Sequence, residues 1–378
     1  MRAFNDGIGF RYDLPDAPAK SSREFVLEED QTQFSFPGNY VCYASTNENT
    51  GTATNRIGYT GSQESDYLSV HLADLPTNQV RMMPLLVQTP AAWVAITESD
   101  LFDWAGMWLN RVPPAGDASS VTLRARLSPR LDGQGLVKSA FPRLSLWRTL
   151  IIGRQPGRLV ESDLVLNLAS PCVLADTTWV KAGMSSWDWW SQVARPSTAT
   201  YRDLIEFSAE MGWPYALLDA GWSSRGNIMM PNPSVNRCAE LALFVCLESP
   251  VMNACDNPIH YRGQPGLDFL KIVPTVWDDT RVLDGAVAEH MVIVRRNGNR
   301  WFLGALTNSK GRDIPVKLDF LGAGSWTVTL WKDAPDSGTE GTHLVIEKKR
   351  VTSADLLTLQ LARAGGAVAC FEPVSPQP

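Results

Sequence analysis

The chain has 378 residues and a formal net charge of −6, from 40 acidic and 34 basic side chains. That balance, with no basic stripe, excludes nucleic acid as the expected partner. No apolar run reaches membrane-spanning length, so no membrane partner is expected. The opening Met1 to Phe10 lacks the apolar core of a signal peptide, which leaves the compartment unassigned. The cysteines, Cys42, Cys172, Cys238, Cys246, Cys255 and Cys370, form no C-x-x-C pair, so zinc is not indicated.

Taken in chain order, residues 1–165 read as β. Alternating runs recur at Gly9 to Tyr12, Glu24 to Leu27, Gln33 to Phe36, Trp93 to Thr97, Val121 to Leu127 and Ser145 to Ile152. Turn residues such as Pro37-Gly38 and Asp132-Gly133 separate them, which is the pattern of a sandwich. Ile96-Thr97-Glu98-Ser99-Asp100-Leu101 closes one of these strands. The opening run Phe4 to Tyr12 looks like a strand from mid-domain, and left unpaired it would be an aggregation risk.

Six of the 14 tryptophans fall between 179 and 222, which singles out that stretch. It begins Trp179-Val-Lys-Ala-Gly-Met-Ser-Ser-Trp187-Asp188-Trp189-Trp190. Leu204, Ile205, Phe207, Ser208 and Met211 fit one helical face, with Gly212 as a natural stop. Tyr215 to Leu218 is a short apolar run ending in Asp219-Ala-Gly-Trp222, as a buried parallel strand does. Strand, helix and strand, with an acid and tryptophans at both strand ends, mark the functional face of an α/β barrel. An indole stacks on the apolar face of a pyranose, and a carboxylate accepts its hydroxyl protons. Further on, Asn297-Gly-Asn signals a hairpin, and Ser325 to Trp331 alternates strictly.

The 179–222 stretch resembles glycoside hydrolase family 97. Trp179, Lys181, Gly183, Ser186 to Trp190, Asp219, Gly221 and Trp222 stand where the family's pattern wants them. Trp147-Arg148 is similar to the family's Pro-Trp-Arg strand, and Cys238 to Pro250 to its last barrel helix and strand. The resemblance implies an α/β plus β chain: a partial N-terminal β-sandwich at 1–165, a partial (β/α)8-type barrel at 166–290 and a C-terminal β-sandwich at 291–378. A full barrel takes about 250 residues, so the middle of this one is expected to be missing. The resemblance also implies that the opening run is similar to a strand internal to the family's N-terminal sandwich.

The resemblance implies calcium-assisted hydrolysis of terminal α-glucosidic or α-galactosidic bonds, with α-linked oligosaccharides or monosaccharides as partners and a periplasmic or secreted setting. It makes Glu98 the candidate metal ligand, and a carboxylate suits that hard cation. Asp188, Trp190, Asp219 and Trp222 are the candidate sugar-binding residues. The family's acid and base fall inside the missing strands, so no residue is assigned a catalytic role. Asp188 and Asp219 read as positioning groups, Glu248 as a cap or solvated group, and the four histidines show no ligand spacing. The alternatives are a non-catalytic carbohydrate-binding remnant, or an incomplete gene model of an active α-glycosidase. Exposed barrel edges imply self-association.

Overall fold

The computed structural model describes residues 1–16, 23–45, 59, 66–114, 119–187, 197–217, 236–254 and 258–374. It divides into two compact units, Met1–Val173 and Leu174–Pro378. Among the described residues no helix is long and apolar enough to cross a membrane.

The first unit is a β-sandwich. One layer is a seven-stranded antiparallel sheet, in the order Arg2–Phe4, Gly7–Phe10, Trp147–Gly153, Trp93–Ser99, Leu85–Gln88, Val41–Ser45, Tyr67–His71. The other has three strands, Met107–Arg111, Val121–Leu127 and Gln33–Phe36. Alternation decides which side chains meet between them. Val121, Leu123, Ala125 and Leu127 turn inward, and so do Phe34 and Phe36. They pack against Cys42, Leu85, Val87 and Ile96 from the larger sheet. The outer face of that sheet is closed by the short helix Leu164–Leu168, whose Leu164 and Leu168 cover Ala95, Trp147 and Ile151. The opening strand is not left unpaired: Gly7–Phe10 pairs with Arg2–Phe4 on one side and with Trp147–Gly153 on the other.

The second unit combines a small parallel sheet with an antiparallel sandwich. The parallel strands are Gly183–Trp187, Tyr215–Leu217 and Val251–Ala254, with the first of them in the middle. In a closed eight-stranded barrel the first strand is flanked by the second and the last. The order seen here is the order at that seam, and among the described residues no other parallel strand extends it. Among the described residues the parallel sheet is therefore three strands wide.

The helix Thr198–Met211 links the first two strands of the seam. Ser197 caps it by accepting from the Thr200 amide at 3.1 Å, and Gly212 ends it in the left-handed conformation. The helix Arg237–Cys246 precedes the third strand. Its Ala242, Val245 and Cys246 pack against Ile293, Phe302 and Val368 of a six-stranded antiparallel sheet. The other face of that sheet packs on the ribbon Arg312–Lys317 and Leu356–Leu361, burying Val294, Leu303, Ile314, Leu357 and Leu359. Residues of the barrel segment and of the C-terminal sandwich thus share one core.

Candidate functional site

The seam strands are held by devices that explain several of the motif residues. Gly183 lies against the neighbouring strand so closely that a Cβ there would come 2.3 Å from Pro214 Cγ. Only glycine permits that approach. Met184 and Ser186 face the helix Thr198–Met211. Ser186 Oγ donates to the Leu204 carbonyl at 3.0 Å, and the Ser208 hydroxyl lies 2.8 Å from Ser186 Oγ and 2.7 Å from the Tyr215 carbonyl. These buried hydroxyls tie strand, helix and strand together. Tyr215 donates its hydroxyl proton to the Lys181 carbonyl at 2.6 Å. Trp179 is largely exposed and donates to the Asp176 carbonyl at 3.1 Å.

Alternation turns Trp187 to the face opposite Ser186. There it lines a cavity of about 490 Å³ with residues of the Arg237–Cys246 helix. The four candidate sugar-binding residues, Asp188, Trp190, Asp219 and Trp222, lie outside the described residues.

Glu98, the candidate metal ligand, sits in a buried ion triad. Arg148 projects from the adjacent strand and is paired with Glu98 across the ladder. Its guanidinium donates through Nη1 to Glu98 Oε1 and through Nη2 to Asp30 Oδ2. The side chains of Arg148, Asp30 and Glu98 are 2%, 7% and 10% exposed. Glu98 Oε2 accepts from the Met107 amide at 2.9 Å, and Asp30 Oδ1 from the Thr32 amide at 2.8 Å. Glu98 and Arg148 belong to the seven-stranded sheet and Met107 to the three-stranded one, so the triad braces the two layers.

One guanidinium serves two carboxylates, and they titrate differently. Burial pushes the Asp30 carboxyl up, but Arg148 and the Thr32 donors together outweigh burial and hold it below the usual range. Burial pushes Glu98 up, and Arg148 and the Met107 amide offset only part of that.

Calcium takes about six to eight oxygens. Both Glu98 oxygens are already engaged, one by a guanidinium whose charge repels a cation. Among the described residues no group of three or more His, Cys, Asp or Glu could hold a metal. The described residues therefore do not fit calcium. The roles of Arg148 and Asp30 escaped the sequence, because the signal lies in strand register and not in spacing.

Comparison with known proteins follows the same division. The family model described as "Glycosyl-hydrolase 97 N-terminal" matches residues 1–171, and "Glycosyl-hydrolase 97 C-terminal, oligomerisation" matches 276–372. A retaining alpha-galactosidase of Bacteroides thetaiotaomicron is 21% identical, covering 97% of this chain and 82% of that protein. The alignment runs over 549 positions, so at least 171 of them (549 less 378) have no counterpart here.

A solved glycoside hydrolase family 97 enzyme from Pseudoalteromonas sp. strain K8, in complex with acarbose, is 20% identical with a TM-score of 0.82. It covers 98% of this chain and 84% of that one. A beta-arabinopyranosidase structure is 18% identical with a TM-score of 0.78, at the same coverage. The two family models together span 268 of the 378 residues (171 and 97), and the sandwich, the barrel seam and the second sandwich follow in the order of those folds. The chain belongs to glycoside hydrolase family 97.

Proposed function

We propose that this chain is a carbohydrate-binding relative of the family's α-glycosidases that hydrolyses no glycoside. The observation that carries this reading is the seam: three parallel strands in the order second, first, third, with at least 171 positions of the galactosidase unmatched. Glycoside hydrolysis needs two carboxylates at a set separation across the scissile bond. The resemblance puts the family's pair on strands between those described here. The ligand class rests on the relatives, one a retaining alpha-galactosidase and one solved with acarbose. Asp188, Trp190, Asp219 and Trp222 are the residues proposed to hold the sugar.

The test is direct. The purified chain is expected to hydrolyse p-nitrophenyl α-glucoside and α-galactoside no faster than a blank, with or without calcium. It is expected to bind galactose, glucose or maltose at about millimolar Kd, followed by tryptophan fluorescence. Turnover abolished by Asp188→Asn would overturn the first half. A sugar response unchanged in Asp219→Ala and Trp222→Ala would overturn the second.

Self-association through the barrel edges is part of the same proposal. Leu217 and Val251, on the two outer strands of the seam, are 38% and 40% exposed. The family's C-terminal model carries the word oligomerisation in its description. Sedimentation at about 100 μM is expected to show a dimer or larger (1 mM and 1 μM affinities bracket this range), and a monomer there would remove this part.

A further inference from the structure

The helix Arg237–Cys246 has two unlike faces. One is sealed against the six-stranded sheet. The other, carrying Arg237, Glu240, Leu241 and Phe244 at helical spacing, forms a wall of the cavity that Trp187 and Tyr261 also line. Its volume, about 490 Å³, falls inside the range of small-molecule sites, about 300–1,000 Å³. Most of the lining is aliphatic or aromatic, so a bare sugar is poorly matched to it.

The polar groups narrow the choice of occupant. The Arg237 guanidinium donates through Nη2 to Gln264 Oε1 at 2.9 Å. The Glu240 carboxylate makes no hydrogen bond or ion pair among the described residues. The residue as a whole is exposed, and the burial that its carboxyl retains raises its pKa. An anionic group without a partner beside Trp187, Phe244 and Tyr261 is a combination suited to ammonium ions. The carboxylate neutralises the head, ring faces attract it, and the apolar wall takes the body.

We propose that this cavity binds a small organic ammonium ion with an apolar body, its head against Glu240 and its body among Trp187, Phe244 and Tyr261. The proposal does not rest on the sugar binding proposed above.

Benzylamine and benzyl alcohol, alike in shape and unlike in charge, probe the site by calorimetry on the whole chain. Benzylamine is expected to bind about tenfold more tightly than the alcohol. Glu240→Gln is expected to bring the amine down to the alcohol's affinity without changing the circular dichroism. Phe244→Ala is expected to weaken both ligands about fivefold. Equal affinity for amine and alcohol, no binding of either, or amine binding undiminished in Glu240→Gln would each overturn the proposal.

Discussion

The N-terminal sandwich and the parallel sheet of the second unit are assembled by different kinds of connection. In the sandwich every strand is antiparallel to its neighbours, and the layers close over one another and over a buried charge. The parallel sheet is assembled from Gly183–Trp187, Tyr215–Leu217 and Val251–Ala254, and its middle strand pairs with one that begins 68 residues later. Antiparallel strands are joined by tight turns, whereas each parallel strand needs a crossover of a dozen or more residues. Losing one βα unit therefore removes a strand and its covering helix together. The three strands described in this chain are neighbours without any other strand between them.

The two regions also use polar groups differently. The sandwich spends a guanidinium and two carboxylates on joining its layers, while the seam uses neutral hydroxyls. Breaking the charged brace is expected to have the largest effect. Arg148→Met strands two buried carboxylates, and the first unit is expected to lose about 3–5 kcal/mol in denaturant unfolding. A loss below about 1 kcal/mol would show that water reaches the triad.

Next in size is Gly183→Ala. It sets a methyl against Pro214 and is expected to cost about 1–3 kcal/mol in the second unit only. Ser208→Ala removes a buried hydroxyl shared by strand and helix, and is expected to cost about 1 kcal/mol there. A transition of the first unit that moves in either variant would mean that the two regions do not unfold separately.

Smaller effects sharpen the contrast. Asp30, with its lowered pKa, contributes stability that is present above its ordinary value of 3.8 and lost as pH falls through the lower folded value. Glu98, with its raised pKa, costs stability at neutral pH, and that cost is relieved as pH falls through its folded value toward 4.5. The difference in melting temperature between wild type and Glu98→Gln, followed from pH 7 to about 4.5, isolates the second effect. It is expected to shift in favour of the wild type on acidification, and a flat difference would show Glu98 ionised without penalty. Smallest of all is the response to calcium. Millimolar metal is expected to leave the melting temperature of either unit unchanged, and a rise of several degrees would reveal ligands beyond the described residues.

Legibility in the sequence followed local periodicity. Val121–Leu127, Gln33–Phe36 and Glu24–Leu27 stand where alternation put them, because one face of each strand meets a core. Val41–Ser45 and Met107–Arg111 gave no such signal. In each, two successive residues are buried and the period of two is broken. The helix Thr198–Met211 was readable from its apolar face and its closing glycine. Glu98 was visible as a carboxylate at a strand end, but its surroundings were not. Arg148 stands 50 residues beyond it and Asp30 a further 118 from Arg148 on the near side, and only the ladder register brings the three together. The cavity beside Glu240 was hidden for the same reason, since its walls come from two strands, three helices and a loop of the C-terminal sandwich.

The seam has a consequence for engineering. Its middle strand already bonds to partners on both sides, so residues inserted between Leu217 and Asn236 would enter between the two outer strands without displacing a ladder bond. A cassette of βα units could be spliced there as one piece. Such a chimera would begin with its closing joint already made, and folding would have to add only the arc.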